Sequence, residues 1–531
     1  MSKLNDQQQA VVDSNADRLL VLAGAGAGKT FTMLERINRL VQEGISPNNI
    51  LVLTFTNKAA FDMRDRYKRS HSNKIIPEFR TFHSFCYHLL VIDRGIREHL
   101  GYSQPPSVGD AGTIKRIETE AKMQCGIKLS EAKLLGEVAC STMKEKQELE
   151  LYKKCVKKLM KQKNIITFDI LAKEVCELFT AGSELTIKYK QRYQYIFVDE
   201  FQDTDPHQIK FISSFSGSKF YLCGDALQNI YAFRGCTNEV LKLLSKDDSW
   251  DKIRLFENYR STKQICNFAN NMSKYADKEY RIEMHGQRDG DAVEVIPGAH
   301  ANWEAPVDSY HTKILLERLQ SRNEDKDVAV LCRTNKEVKY ICDQLKHAGI
   351  LYSSGKRNED ALNILKSVND NDYMLDWLSS FLTAEKYAEY IRLASQVENP
   401  DIIWFANEYN QVPEIKERGK AIVDIRKVLR TKKAIISKVA DIFKILGIKS
   451  GEIEAIDTDE DILPTIIDII ESQGDQDVYV GTIHSSKGLE YDTVYVMGVD
   501  DRSFQLGTED MNNLYYVALT RAKNHLVVFT A

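Results

Sequence analysis

The sequence has no apolar run of the roughly 20 residues needed to cross a bilayer, which argues against a helical membrane protein. It has no CxxC pair. Its ten cysteines are scattered, as at Cys86, Cys125, Cys140 and Cys223, so zinc and iron–sulfur spacings are excluded and buried reduced thiols are expected. It has little excess of either charge: 72 basic residues stand against 76 acidic ones, a net charge of −4. Overall attraction therefore cannot hold this chain on a polyanion, and any such contact needs a local track. No internal repeat or low-complexity tract is present. The opening residues, Met1-Ser2-Lys3-Leu4-Asn5-Asp6, lack the charged-then-apolar layout of a secretion signal, so a cytoplasmic location without a membrane partner is expected.

What is there begins with length, since 531 residues exceed a single core and suggest roughly three or four domains. Strand-like apolar runs recur at 19–22, 50–53, 195–198, 220–223, 328–331, 478–480, 494–497 and 526–529, each ending in a polar or glycine-rich turn. Helical patterns follow several of them, which points to an α/β fold with parallel sheets and crossover helices. Two stretches, about 93–189 and 357–475, read as amphipathic helix instead. The first carries Lys144, Lys146, Lys153, Lys154, Lys157, Lys158, Lys161 and Lys163, which either touch phosphates or form a solvated helix face.

The run Leu19-Leu20-Val21-Leu22 leads into Ala23-Gly24-Ala25-Gly26-Ala27-Gly28-Lys29-Thr30, a strand, a loop of small residues and then a helix start. Small residues let backbone N–H groups close around phosphate oxygens; Lys29 supplies a cation for the terminal phosphates and the Thr30 hydroxyl can ligate Mg²⁺. This is a Walker A loop in which Ala23 replaces the usual first glycine, and ATP is the cofactor it implies. The run Tyr195-Ile196-Phe197-Val198 delivers Asp199 and Glu200 to a strand end, where open α/β sheets bind ligands. Asp199 would hold Mg²⁺ through water, and Glu200 would orient and deprotonate the attacking water.

The run Asp199-Glu200-Phe201-Gln202-Asp203-Thr204 resembles motif II of the UvrD/Rep/PcrA group of superfamily-one helicases, and further segments follow in that group's order. Leu4-Asn5-Asp6-Gln7 with Ala10-Val11 resembles the Q motif, Thr54–Ala60 motif Ia and Thr81–Phe85 motif Ib. Gly224–Gly235 resembles motif III, Glu257–Ser261 motif IV, Gly481–Glu490 motif V and Tyr515–Lys523 motif VI. The resemblance implies two RecA-like P-loop domains with parallel sheets, each carrying a helical insertion. The first domain would comprise 1–92 and 190–252, with its insertion at 93–189; the second would comprise 253–356 and 476–531, with a reduced insertion at 357–475.

By the same resemblance ATP lies between the domains. Gln7 reads the adenine edge, Tyr259 stacks on the base and Glu490 meets the ribose. Gln228 senses the γ-phosphate, and Arg260 and Arg521 act as arginine fingers from the far side. Phe55, Asn57, His83, Tyr231, Phe233, Arg234 and His484 fall at positions that contact single-stranded DNA, with a core role as the alternative for Phe55 and Phe233. The implied activity is a 3′ to 5′ ATP-dependent DNA helicase, monomeric, acting on single strands and their junctions with duplex. A translocase serving a protein partner such as a nuclease, or a non-enzymatic DNA-binding scaffold, are the alternatives.

Overall fold

The computed structural model describes residues 4–71, 75–109, 111–134, 141–231, 236, 238–275, 278, 280–298, 306–321, 327–353, 359–369, 374–375, 378, 405, 408–409, 412–446, 462–467, 478–500 and 504–531. Phe233 and Arg234 of the expected DNA track lie outside the described residues, as does the side chain of Asn57.

The strands are β1 (Arg18–Ala23), β2 (Ile50–Thr54), β3 (Glu78–Thr81), β4 (Ser107–Val108), β5 (Ile165–Ile166), β6 (Tyr195–Val198), β7 (Lys219–Gly224), β8 (Asp251–Leu255), β9 (Glu257–Asn258), β10 (His285–Gly286), β11 (Glu294–Pro297), β12 (Val328–Cys332), β13 (Tyr352–Ser353), β14 (Val478–Thr482), β15 (Tyr491–Val499) and β16 (Ala522–Thr530). Two six-stranded sheets dominate, in the orders β3-β2-β6-β7-β1-β8 and β11-β16-β15-β12-β14-β13. Every pairing in both is parallel. Central strands such as Ile50–Thr54 and Val328–Cys332 are buried at every position, because crossover helices cover both faces of a parallel sheet and leave no wet side for alternation. The edge strands β3 and β8 are the more polar and more exposed ones.

Between β3 and β6 the chain is largely helical. Its longest helix, Met143–Gln162, carries the lysine run and packs against the helix Ala111–Gln124. Part of that run is structural: Lys157 and Lys161 approach the buried Glu174 at 2.7 and 3.8 Å, and Lys163 pairs with Glu120 at 3.2 Å. Lys144, Lys146, Lys154 and Lys158 face solvent. The expectation that all thiols are reduced is corrected here. Cys125 and Cys155 are joined as a disulfide across this insertion, because the packing of its helices brings their Cα atoms to 6.9 Å. Between β13 and β14 the helices Pro413–Leu429 and Ile435–Leu446 build a separate core from Ile422, Ile425, Val439 and Ile442.

The two sheet-bearing lobes meet through a shared apolar cluster. Ala25, Leu227 and Ile230 of the first pack with Met284, Tyr516 and Leu519 of the second. Among the described residues no helix is long and apolar enough to cross a membrane.

Candidate active site

The Walker A loop starts where buried β1 ends. Gly24 N–H donates to Leu255 O of β8 at 3.2 Å, and the chain then turns through two left-handed glycines, Gly26 (φ 68°) and Gly28 (φ 75°). Side chains at both positions are disfavoured by conformation, and at Gly26 by space as well. A Cβ on Gly26 would stand 2.8 Å from both Arg260 Cβ and Asn258 Oδ1, and one on Gly28 would stand 2.8 Å from Gln8 Nε2. The loop is thus shaped to admit the second lobe's motif IV against it. Asn258 Nδ2 donates to Ala25 O at 2.8 Å, and Tyr259 N–H donates to Gly26 O at 3.0 Å.

The helix α2 (Lys29–Gln42) begins without a side-chain cap, so its first N–H groups point toward the loop mouth as an anion site. Two arginines anchor this helix to α1 (Asp6–Asp13). The buried Arg36 donates to Val11 O and Ser14 O at 2.7 Å each, and Arg39 donates to Val12 O at 2.7 Å.

Lys29 sits among carboxylates. Burial pushes its ammonium pKa down, but Glu200, Asp225 and Asp199 outweigh that and hold it above the ordinary lysine value. Asp199 and Glu200 leave β6 at its C-terminal end. Glu200 takes a left-handed backbone (φ 50°), a conformation unusual for a residue with a Cβ and of the kind that concentrates at functional sites. Burial and the neighbouring Glu200 charge push Asp199 up to about 7. Burial also pushes Glu200 up, but Lys29, Lys487, the Gln202 amide and Arg521 together keep it below the usual carboxylate range. The two adjacent carboxylates are thus pushed in opposite directions, Asp199 up and Glu200 down.

Motif III is held from both lobes. Gln228 Nε2 donates to Asp225 Oδ2 at 2.7 Å, and the same oxygen accepts from the Tyr516 hydroxyl at 3.2 Å. Tyr516 belongs to the second lobe, is fully buried, and accepts from Ala25 N–H of the Walker loop at 3.5 Å. Lys487 Nζ crosses in the same direction, reaching Asp203 Oδ2 at 2.5 Å and Gln228 O at 2.7 Å. Lys487 also stands 4.9 Å from the centre of the Tyr231 ring.

The two arginines differ. Arg260 Nε donates to Glu490 at 2.6 Å and Nη1 to Thr520 O at 3.1 Å. Arg521 is 1% exposed and donates to Val517 O, Leu489 O and Thr520 Oγ1 at 2.9, 3.1 and 3.2 Å, none of them an anion. Burial and the nearby Arg260 cation lower its pKa to about 9. Glu200 and Glu490 act on this guanidinium in the opposite sense, although its hydrogen bonds all go to neutral groups.

Glu490 is engaged by Arg260 and by Lys523, the latter at 3.5 Å, rather than standing open toward a sugar. Gln7, expected at the adenine edge, instead accepts from Phe256 N–H at 3.1 Å. The glutamine on the Walker loop is Gln8. It closes a capping box with Asn5 at the start of α1 and donates to Ala27 O at 3.1 Å, so the one-residue difference follows from the cap geometry. Tyr259 is 51% exposed, and its hydroxyl accepts from Asn5 at 2.6 Å.

On the opposite side of motif III, Tyr231 stacks on Phe55 with centroids 4.8 Å apart, and His484 lies 6.4 Å from the Tyr231 ring. Both aromatic rings are half-buried. His83 meets Phe168 edge-on at 5.5 Å. Phe168, an exposed ring from the helical insertion, was missed in the sequence because nothing local marks it. The pair Asp203–Lys487 was missed too, for its partners stand 284 residues apart.

Lys487→Met is expected to lower stability by at most about 3–5 kcal/mol, the usual cost of orphaning one member of a buried pair. Asp203 can escape part of that cost by taking up a proton, since burial already pushes it to about 7. The loss should therefore grow as pH rises and the carboxylate must be charged. Thermal melts between pH 6 and 9, with Lys487→Met/Asp203→Asn as the recovering double variant, check this.

Comparison with known proteins places the chain in a family. Residues 4–249 match the UvrD/REP helicase N-terminal domain, and residues 253–359 and 364–531 match the UvrD-like helicase C-terminal domain. The PcrA protein of Bacillus subtilis, named an ATP-dependent DNA helicase, is 26% identical over all of this chain and 83% of its own length. Its namesake in Staphylococcus epidermidis is 25% identical over all of this chain and 84% of its own. A protein of Mycoplasma capricolum named for its homology to DNA helicase II is 28% identical over 98% of this chain and 83% of its own length. With residues 4–249, 253–359 and 364–531 matched by these two domain families, the chain belongs to the UvrD/REP helicases.

Proposed function

We propose that this protein is an ATP-dependent DNA helicase that moves 3′ to 5′ on single-stranded DNA and opens duplex at its junctions. The observation that carries the reading is the close approach of Arg260, on the second lobe, to Gly26 of the first lobe's Walker loop. A triphosphate held on Lys29 and the N–H groups of residues 24–30 would then face Arg260 and Arg521 across the cleft. Bridging both lobes rewards closure while the γ-phosphate is present, and its loss permits opening.

The site also suits a divalent cation. Asp199 Oδ1 is buried with no hydrogen-bond partner among the described residues, and the donor set with the Thr30 hydroxyl is all hard oxygen. Thr30 and Asp199 would hold Mg²⁺, which when bound neutralises the phosphate oxygens. Glu200 takes the proton of the attacking water. Gln228, positioned by Asp225 and Tyr516, senses the γ-phosphate. The adenine slot falls between Tyr259 and the residues of α1, with Gln8 the side chain on the loop there. The strand would run past Phe55, His83, Tyr231, Phe233 and His484, its bases stacking on rings at about 1–3 kcal/mol each regardless of sequence.

The test is strand displacement on substrates with 3′ or 5′ single-stranded tails, run beside ATP turnover with and without oligo-dT. Unwinding of the 3′-tailed substrate and stimulated turnover are expected. Stimulated turnover without displacement would favour a translocase, and absence of both would leave only a binding scaffold.

A further inference from the structure

Among the described residues seven cysteines are free and buried, whereas Cys125 and Cys155 are half-buried and joined to each other. Cys125 directly follows the helix Ala111–Gln124, and its N–H donates to Ala121 O at 3.1 Å; Cys155 lies midway along the helix Met143–Gln162. Both pack at the rim of an apolar cluster that the two helices build from Ile117, Ala121, Tyr152, Leu159 and Met160. That cluster holds the helices together by burial, so their packing does not depend on the bond. The two sulfurs therefore stay neighbours when the bond is broken, and a pair placed in this way reacts with itself at high effective concentration.

Their position also leaves them within reach of a small reagent, from which the seven buried thiols are shielded. The approach is basic. Lys122 stands one helical turn before Cys125, Lys158 one turn after Cys155, and the exposed Lys154 is adjacent, which favours a reagent that carries negative charge. We infer that Cys125 and Cys155 form a reversible thiol–disulfide site, oxidised by a small anionic disulfide, that staples the first lobe's helical insertion in one arrangement. One of the two thiolates attacks the S–S bond of the reagent and expels a small thiolate, leaving a mixed disulfide. The second thiolate attacks that mixed disulfide, forms the Cys125–Cys155 bond and expels the other small thiolate. Two protons and two electrons leave the protein, and the electrons reduce the reagent to two thiols. Excess small thiol runs the same exchange backwards and opens the staple. The bond ties positions 30 residues apart, so closing it restricts separation of the two helices. No step involves the residues assigned to ATP or DNA.

The experiment uses the full chain, either reduced with dithiothreitol or equilibrated with glutathione disulfide, then alkylated without denaturant and digested for mass spectrometry. Reduced protein should carry alkyl groups on Cys125 and Cys155 and none on the seven buried cysteines. Oxidised protein should yield two peptides joined through Cys125 and Cys155, and dithiothreitol should return both to the alkylated form. Glutathione retained on either residue, a bond from either one to Cys140, which lies outside the described residues, or undiminished alkylation after oxidation overturns the site. Amide hydrogen exchange then reads the staple. Peptides from 111–124 and 143–162 should exchange at least about tenfold more slowly in the oxidised chain, and Cys125→Ser/Cys155→Ser should exchange alike under both conditions. Equal exchange in the two states of the wild-type chain, or a difference that persists in the double variant, overturns the stapling role.

Discussion

Replacing Lys29 by alanine, or Glu200 by glutamine, is expected to abolish DNA-stimulated ATP hydrolysis while single-strand binding survives. The two changes act differently. Glu200→Gln removes the base while keeping shape and the contact to Gln202, so the expected loss is about 10²–10⁴-fold in turnover with little change in melting temperature. Lys29→Ala removes the cation shared by Glu200, Asp225 and Asp199, leaving like charges without compensation. Its variant should lose both phosphate binding and turnover, and those carboxylates should take up protons, so its stability should fall as pH rises. Wild-type turnover in either variant would remove the site assignment. Retained oligo-dT affinity separates the loss from unfolding, because the proposed strand track lies on the other side of motif III.

Arg521→Ala is expected to lower stimulated turnover by about 10³–10⁵-fold, the range measured for arginine fingers, or about 4–7 kcal/mol of transition-state stabilisation. Arg521→Lys should rescue little, since a lysine cannot present a planar fork to phosphate oxygens. The structural cost is separable. Arg521 spends its donors on Val517 O, Leu489 O and Thr520 Oγ1, so removing it takes a partner from Leu489 O, while Val517 O keeps the Thr520 hydroxyl, and a melting curve reads that part. Arg260→Ala should lose activity with a smaller stability change, because Arg260 is held by the half-exposed Glu490.

The central strands could be read from the sequence and the edge strands could not. All eight apolar runs fall within β1, β2, β6, β7, β12, β14, β15 and β16. The strands left unread in the two large sheets are β3, β8, β11 and β13, and each is the outermost of its sheet. An edge strand has one neighbour and a wet flank, so Glu78–Thr81 and Asp251–Leu255 need no continuous apolar run. The same logic divides the site. Lys29, Asp199 and Glu200 were legible because loop and strand-end chemistry is local. Asp203 with Lys487, and Asp225 with Tyr516, depend on contacts 284 and 291 residues apart, which spacing does not reveal. Which of Gln7 and Gln8 lies on the loop was not legible, since two adjacent glutamines look alike in sequence and the capping box at Asn5 turns Gln8 there.

The most direct measurement is a structure of the full chain bound to a non-hydrolysable ATP analogue, Mg²⁺ and oligo-dT. The guanidinium groups of Arg260 and Arg521 should both lie about 2.7–3.2 Å from γ-phosphate oxygens of a nucleotide seated on Lys29. A nucleotide held on Lys29 with Arg260 still on Glu490, and Arg521 still turned to Val517 and Leu489, would contradict a cleft that closes on the γ-phosphate.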